Sequence, residues 1–385
     1  MYCNSNKNNL RLKHETNLRI NLTQSTKVTI IMSRRSPPKA GTTLRKFLSL
    51  ALMGIALSSG IVACSGNSQA DANKPIELTL VSYAVTQKAY ENIIPKFVEQ
   101  WKAKTGQTVV FDQSYGGSGS QTRAVVDGLE ADLVALALAL DIKKIETAGL
   151  IQPGWEEELP NNSIVHKSVA AIVTRDPNLQ VSKWSDLARD DIKAITANPK
   201  TSGGARWNFL VLWGAVKQAG GSDIEAQNFV EKIFANVPVL PKDARESSDV
   251  FYTQGQGNVL INYENEVLLA KQQGYALPYV VPTDYNISID NPVAVVDANV
   301  DKNGTREVAE AFAEYLFTPE AQREFAKVGF RPVNETVANE FANQYPQIQN
   351  LFTVADLGGW DRVQTEFFAD KGLFDKIQNK IAQSQ

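Results

Sequence analysis

The segment Thr108–Leu138, TVVFDQSYGGSGSQTRAVVDGLEADLVALAL, is the stretch that predicts the class of fold. Residues 108–112 are mainly β-branched and aromatic, which predicts a strand. The turn Gly116–Gly119 leads into a predicted helix over 121–129, and the apolar run Ala131–Leu138 predicts a buried strand. Strands that alternate with helices in this way are typical of an α/β protein with mainly parallel sheets.

The same alternation continues on both sides of this segment. Ile76–Tyr83 predicts a first strand, and apolar residues at helical spacing predict a helix over 86–104 that ends at Gly106. Further along, Pro160–Ser163 predicts a passage from one lobe to another, and Val165–Thr174 predicts the first strand of the second lobe.

Composition and charge narrow the classes of function. The chain has 385 residues, 43% hydrophobic and 21% charged, which is ordinary for a globular protein. Residues 1–63 hold ten Lys or Arg and one acid, a net charge of +9, so the remaining residues carry −12 of the total of −3. An acidic body argues against a nucleic-acid partner, because phosphate binding needs a clustered basic surface. Any anion site must therefore rely on local dipoles.

The N-terminal region predicts export. Met32 is followed by five basic residues up to Lys46 and then by the apolar run Phe47–Val62, which is too short for a comfortable membrane span. We therefore expect a signal peptide over 32–64, preceded by an over-long gene prediction at 1–31. Residues 65–74 are small and polar and predict a linker.

The end of the apolar run predicts a lipid anchor. Ile61-Val62-Ala63-Cys64 resembles the lipobox of bacterial lipoproteins, in which the cysteine carries the lipid. A plain signal peptide, cleaved after Ala70 or Ala72, is the alternative. The pair Arg34-Arg35 leaves a twin-arginine signal open.

Cysteine and histidine are too scarce for most metal chemistry. The cysteines are Cys3 and Cys64, and the histidines are His14 and His166. We therefore expect no disulfide in the body of the protein, no thiolate or His-rich metal site, and no cofactor.

Three turns that precede predicted helices are candidates for anion binding: Ser114–Ser120, Asn198–Arg206 and Asp243–Ser247. Helix N-termini expose unpaired amide N–H groups and a partial positive charge, which suits an anion. An ordinary turn with a capping residue is the alternative for each segment. Two Gly- and Ser-rich helix starts in one α/β chain are a stronger indication of an anion site than either start alone.

Two long stretches resemble signatures of a known family, the periplasmic sulfate- and thiosulfate-binding proteins of ABC transporters. They are Lys102–Ser114, KAKTGQTVVFDQS, and Asn198–Arg206, NPKTSGGAR. Shorter similarities, including Glu264-Asn-Glu266 and Gly358-Gly-Trp360, extend the resemblance from about residue 77 to 377.

The resemblance implies the two-lobed, type II periplasmic-binding-protein fold. Each lobe is expected to be a mainly parallel sheet flanked by helices, with a hinge between the lobes. The expected boundaries are 75–157 and 266–325 for lobe 1, 158–265 for lobe 2, and 326–385 for a C-terminal helical segment that closes the fold.

The resemblance also implies a sulfate site of neutral donors between the lobes. Ser118 is expected to donate through its amide and its hydroxyl, and Arg206 to steady the loop behind the site. Tyr263 stands where the family has a Trp indole, so a phenol replaces that donor. The implied ligand residues are Ser118, Ser202, Gly203, Gly204, Ala244 and Tyr263.

The implied function is capture of sulfate or thiosulfate outside the cytoplasm and delivery, as a monomer, to the membrane permease subunits of an ABC transporter. Molybdate and phosphate are alternatives. Phosphate requires a carboxylate acceptor, for which the nearest acids in the sequence are Asp112, Glu246 and Glu264. A serine hydrolase is the enzymatic alternative, but the only histidine of the body is His166.

Overall fold

The computed structural model describes residues 74–384. The predicted signal peptide, Cys64 and nearly all of the linker lie outside the described residues. Within them the strands are β1 (Ile76–Tyr83), β2 (Val109–Gly116), β3 (Leu133–Ala135), β4 (Ile164–Ser168), β5 (Ala170–Thr174), β6 (Ala194–Ile195), β7 (Val259–Tyr263), β8 (Tyr279–Val280), β9 (Asn286–Ile287), β10 (Ile289–Val295), β11 (Arg331–Pro332) and β12 (Leu351–Phe352).

The helices of this region connect the strands and cover the sheets. They are α1 (Gln87–Thr105), α2 (Ser118–Val126), α3 (Ala139–Thr147), α4 (Gly203–Gln218), α5 (Asp223–Ala235), α6 (Ala244–Tyr252), α7 (Glu264–Gln272), α8 (Asp297–Asn303), α9 (Arg306–Tyr315), α10 (Pro319–Lys327), α11 (Glu335–Glu340), α12 (Gly359–Val363) and α13 (Leu373–Ser384). As predicted, α1 ends at Gly106, whose φ of 77° is left-handed and therefore favours glycine.

The first lobe is built on a six-stranded sheet in the order β11-β4-β10-β3-β1-β2. β1 runs parallel to β2 and β3, whereas β10 is antiparallel to β3 and β4. Neighbouring residues of β1 face opposite sides: Leu80 packs in the core that includes α1, α9 and α10, and Val81 in the core that includes α2 and α3. Helices therefore cover both faces of the sheet, as the α/β pattern predicts. The prediction that the sheets are mainly parallel is wrong, because β10 returns from the second lobe and runs antiparallel to both β3 and β4.

The second lobe is built on a four-stranded sheet in the order β6-β7-β5-β8. β6 and β7 are parallel, and β5 is antiparallel to both of its neighbours. α4 packs against this sheet, and every residue of the helix from Gly203 to Ala215 is buried. α6 and α7 contribute Phe251 and Val267 to a separate core with Leu260 of β7.

The chain passes between the lobes later than the sequence predicts. The expected single strand at 165–174 is two strands, because β4 pairs in the first sheet and β5 in the second. The first two crossings therefore fall at Val169 and Ser288, and the predicted boundaries at 158 and 266 are corrected accordingly. Pro160–Ser163 only reverses the chain before β4, with left-handed backbone at its three last residues. A turn signal marks such a reversal but does not say which sheet the next strand joins.

The segment after β11 returns to the second lobe. β11 still pairs with β4 of the first sheet, so lobe 1 extends beyond the predicted end at 325. β12 then pairs with β9, and α13 packs against α5, where Phe374 contacts Phe209 and Phe234. The C-terminal segment thus covers the outside of the second lobe with aromatic side chains.

The buried His166 predicts an acid-dependent loss of stability. Its ring lies 4.1 Å from that of Phe330, and burial lowers its pKa from 6.5 to about 3. The unfolded chain therefore binds a proton below pH 6.5 that the folded protein does not, so stability falls as the pH drops from 6.5 towards 3. Between pH 6.5 and 5 we expect this residue to lower the stability by roughly 1.6 kcal/mol in total, with a slope that approaches about 1.4 kcal/mol per pH unit at the lower end.

Urea unfolding of residues 65–385 at pH 5, 6 and 7 checks this expectation, with His166→Leu as the comparison. The variant should lose less stability than the wild type between pH 6.5 and 5. Equal pH dependence of both proteins would contradict it.

Candidate functional site

A small cavity lies where helix N-termini of both lobes converge. α2 of the first lobe begins at Ser118, and α4, α6 and α7 of the second lobe begin directly after Ser202, Asp243 and Tyr263. The first amides of a helix have no carbonyl partner within it, and those of Ser118, Gly203, Gly204 and Ala244 have no partner elsewhere among the described residues, so they are free for a ligand. The first amide of α7, that of Glu264, instead donates to the carbonyl of Val169 at 2.8 Å. The cavity is lined by Tyr83, Ala84, Val85, Gly116, Gly117, Ser118, Ser202, Gly203, Gly204, Asp243, Ala244 and Tyr263.

All six residues predicted to bind the ligand line this one cavity. Ser118 comes from the first lobe, and Ser202, Gly203, Gly204, Ala244 and Tyr263 come from the second. α6 begins at Ala244, three residues before the helix that the sequence predicts, so the amide of Ala244 belongs to its first turn. That sulfate contacts these groups stays a prediction.

Glycines allow the two lobes to approach each other closely at the cavity. A Cβ added to Gly117 would lie 2.6 Å from the carbonyl oxygen of Thr201, in the other lobe. A Cβ added to Gly203 would lie 2.5 Å from Cβ of Ala137, again across the lobes. Real Cβ atoms do not approach so closely, so this contact between the lobes requires glycine at both positions.

The hydroxyl of Ser118 does not donate to a ligand as the sequence predicts, because it is already hydrogen-bonded within the first lobe. Its Oγ donates to Oδ2 of Asp141 at 2.7 Å and accepts from the amide of Ala137 at 3.0 Å. A hydroxyl has one proton, so this group cannot also donate to an anion. Asp141 is fully buried and needs such donors, which explains the difference. Only the amide of Ser118 is left for a ligand.

The hydroxyl of Ser202 has the opposite arrangement. As the residue before α4, it accepts from the amide of Ala205 at 3.2 Å. Its proton is not used in this bond. Ser202 can therefore donate its O–H into the cavity while it caps the helix.

Two buried phenols stand beside the amide donors. The hydroxyls of Tyr83 and Tyr263 are buried and have no hydrogen-bond partner among the described residues, and the two rings lie 6.2 Å apart. Burial raises the pKa of Tyr263 well above 10, and burial together with Tyr263 does the same for the pKa of Tyr83. Both phenols therefore keep their protons at physiological pH and remain donors.

A buried ion pair joins the lobes behind the cavity. Nη1 of Arg206 lies 3.2 Å from Oδ1 of Asp141, and Nε of Arg206 donates to the carbonyl of Pro199 at 2.9 Å. Arg206 does not line the cavity. It thus connects the loop before Ser202 with the carboxylate that binds Ser118, which is compatible with the predicted supporting role.

The lining also contains three residues outside every candidate segment, Tyr83, Ala84 and Val85, and three that lie in the candidate turns but were not predicted as ligands, Gly116, Gly117 and Asp243. Tyr83, Ala84 and Val85 lie at the carboxyl end of β1. Ligands of α/β proteins bind at the carboxyl ends of strands, so the predicted end of β1 at Tyr83 could have indicated these residues. Asp243 is the acid of the lining, and its Oδ1 accepts from the amide of Glu246 at 2.9 Å. The acids considered for phosphate, Asp112, Glu246 and Glu264, lie outside the lining.

The phenol of Tyr263 is expected to contribute to the free energy of anion binding. We expect Tyr263→Phe to weaken sulfate binding roughly 10- to 100-fold, because a hydrogen bond to a charged group contributes about 1.5–3 kcal/mol. Calorimetric titration measures the change. Tyr90→Phe is the matched control, since its hydroxyl is also buried and unpartnered among the described residues but lies outside the lining. Unchanged affinity of Tyr263→Phe would mean that the phenol does not reach the anion.

Residues 74–384 contain no group of three or more His, Cys, Asp or Glu side chains arranged to bind a metal ion. Over the same range, no helix combines the length and apolar character needed to cross a membrane.

Two lobes, each with a helix-covered sheet, and a cleft lined by helix N-termini define the class of two-lobed binding proteins. Residues 78–331 match the family described as bacterial extracellular solute-binding protein. The chain belongs to this family.

The relatives that the chain resembles include sulfate-binding and thiosulfate-binding proteins. It is 61% identical to a sulfate-binding protein of Synechocystis over 86% of this chain and 96% of that protein. It is 35% identical to a thiosulfate-binding protein of Pseudomonas aeruginosa, over 87% and 99% of the two chains. Among solved structures, the sulfate-binding protein SubI from Mycobacterium tuberculosis aligns with a TM-score of 0.70 and 36% identity, over 76% of this chain and 99% of SubI. These matches confirm the resemblance and the two-lobed binding-protein fold that the sequence predicts.

Proposed function

We propose that this protein captures sulfate outside the cytoplasm and delivers it to the membrane permease of an ABC transporter. The observation that carries the proposal is the convergence of neutral donors from both lobes on one cavity: the first-turn amides of α2, α4 and α6, the Ser202 hydroxyl and the phenol of Tyr263. The sulfate-binding relatives at up to 61% identity support the same ligand.

Such a donor set favours sulfate over phosphate. Sulfate is a dianion without a proton at neutral pH, so donors alone can satisfy all of its oxygens. Hydrogen phosphate carries an O–H that needs an acceptor, and a site that leaves a buried polar group unpaired discriminates by about 10⁴–10⁵. Thiosulfate is the second candidate, because thiosulfate-binding proteins are among the relatives.

We also infer how the protein reaches its place of work. In this proposal translation starts at Met32, the segment 32–64 directs export to the periplasm, and Cys64 carries a lipid anchor. The mature protein acts as a monomer, and the closed, sulfate-loaded form is what the permease recognises. Labelled palmitate supplied to expressing cells should enter the protein, and the label should disappear in Cys64→Ser.

The proposal assigns no catalytic step to the cavity. The Ser118 hydroxyl is engaged with a carboxylate, and the buried His166 lies outside the lining of the cavity. The hydroxyl oxygen of Ser202 accepts a hydrogen bond from the amide of Ala205, which cannot act as a base. A nucleophilic serine needs a positioned base, so these contacts argue against the hydrolase alternative.

Calorimetric titration of residues 65–385 with sulfate, thiosulfate and phosphate at neutral pH tests the ligand. We expect tight one-to-one binding of sulfate and no heat with phosphate. Phosphate binding as tight as sulfate binding would overturn the donors-only site. Asp243→Asn would then be the next titration, because Asp243 is the carboxylate of the lining.

A further inference from the structure

Arg245 contacts both lobes at the edge of the proposed anion site. It follows Ala244 in the first turn of α6, in the second lobe. Its Nη2 donates to the carbonyl of Val85, in the short turn after β1 of the first lobe, at 3.4 Å. Val85 and Ala244 both line the cavity.

A buried carboxylate holds the guanidinium in this position. Nε and Nη2 of Arg245 donate to the two oxygens of Glu266 at 2.9 and 2.7 Å, and Ser248 Oγ donates to Oε2 of the same carboxylate at 3.0 Å. Glu266 is 3% exposed. A two-pronged bond between a guanidinium and a carboxylate fixes the plane of the guanidinium, so its remaining N–H groups point in a defined direction.

The other polar contacts between the lobes are made by α4 and by α7. Around the start of α4, Arg206 pairs with Asp141, the indole of Trp207 donates to the carbonyl of Ala137, and Arg123 donates to the carbonyl of Lys200. At α7, Glu264 pairs with Arg331 of the first lobe, and Gln272 donates to the carbonyl of Lys327. Between α6 and the first lobe, the hydrogen bonds of the described residues comprise only that from Arg245 to Val85. On its α6 side, the cleft is thus held by this one hydrogen bond.

We propose that Arg245 holds the closed cleft on its α6 side and thereby slows release of the bound anion. The inference rests on the proposed anion site and extends it, because it assigns a positioning role to a residue that need not touch the anion. Opening the lobes must break the bond to Val85, whereas the bond to Glu266 lies within the second lobe and stays intact. The bond to Val85 therefore resists opening and affects dissociation more than association.

Arg245→Lys separates this role from a general effect of charge. Lysine keeps the positive charge beside Glu266, so long-range attraction of a dianion is unchanged, but it lacks the fork that reaches two acceptors. Arg323→Lys is the matched control: Arg323 also binds a glutamate with two prongs, Glu340, but contacts no residue of the cleft.

The test is stopped-flow tryptophan fluorescence, with Trp207 at the boundary of the lobes as the reporter. We expect Arg245→Lys to raise the sulfate dissociation rate constant about tenfold, with the association rate constant changed less than twofold. Arg323→Lys should change neither rate. The melting temperature of the sulfate-free protein should stay the same in both variants, since a merely structural role would appear there instead.

The outcomes distinguish this inference from the proposed function. If the wild type binds sulfate and Arg245→Lys releases it at the wild-type rate, the role of Arg245 is overturned and the anion site stands. If the wild type shows no sulfate binding in calorimetry, the proposed function itself fails. Glu266→Gln, which weakens the hold on the guanidinium, should raise the dissociation rate in the same direction, and an unchanged rate in that variant also counts against the inference.

Discussion

Gly203→Ala should weaken sulfate binding about 100-fold or more while the sulfate-free protein remains folded. The added Cβ would lie 2.5 Å from Cβ of Ala137 and 3.2 Å from Cβ of Ser118, both in the opposite lobe. Overpacking of this kind costs about 1–3 kcal/mol or more, and here the whole cost falls on the closed form. In the open form the methyl group meets no such neighbour, and alanine is the better helix former.

Calorimetry measures the affinity, and thermal unfolding without sulfate measures the fold. Gly116→Ala is the control: it also adds a methyl group at the cavity, but the nearest atom would be the flexible side chain of Gln121 at 3.6 Å. A normal sulfate affinity for Gly203→Ala would mean that the bound form does not require the contact of α4 with the first lobe.

Arg206→Met should lower sulfate affinity by about 10²–10³-fold, which is the second large effect. Two consequences act in the same direction. The buried Asp141 loses the partner that ties it to the second lobe, so the closed form is destabilised. The loop before Ser202 also loses the donor to the Pro199 carbonyl, and the dianion loses a nearby positive charge. Methionine preserves much of the volume against Phe368.

Arg175→Met is the matched control for this substitution. Arg175 also donates to backbone carbonyls, at Gly257 and Phe251, and stacks on a phenylalanine ring, but all of its contacts lie within the second lobe. We expect Arg175→Met to lower stability without lowering affinity for sulfate. Equal losses of affinity in both variants would show that general destabilisation, not the contact between lobes, is responsible.

Local signals predicted the parts of the site that depend on local structure. The Gly- and Ser-rich turns were expected to start helices, and α2 and α4 begin at Ser118 and Gly203 within those turns. β1 has the predicted bounds, because an alternating strand between a polar linker and a helix leaves little choice. The convergence of these segments came from the family resemblance, since no local pattern places Ser118 beside Gly203.

Tertiary contacts account for what the sequence did not predict. The run 165–174 is uniformly suited to a strand, and only pairing with β10 on one side and β7 on the other divides it at Val169. The Ser118 hydroxyl was expected to donate to a ligand, but it donates its hydrogen bond to the carboxylate of Asp141, 23 residues away. Arg245 lies in a candidate turn and Glu266 in a segment similar to the family, but no sequence signal pairs them, and their bond exists because α6 and α7 pack side by side.

The strand order of the first sheet has a consequence for how the protein acquires its fold during synthesis. β4 reaches the rest of its sheet only through β10, and β11 completes the edge at Arg331–Pro332. Because synthesis proceeds from the N-terminus, the first sheet cannot be completed until more than three quarters of the chain has been synthesised. Such long-range pairing is slow to form. A polypeptide that folds this late stays unfolded for longer, and an unfolded chain can be translocated across a membrane before it folds.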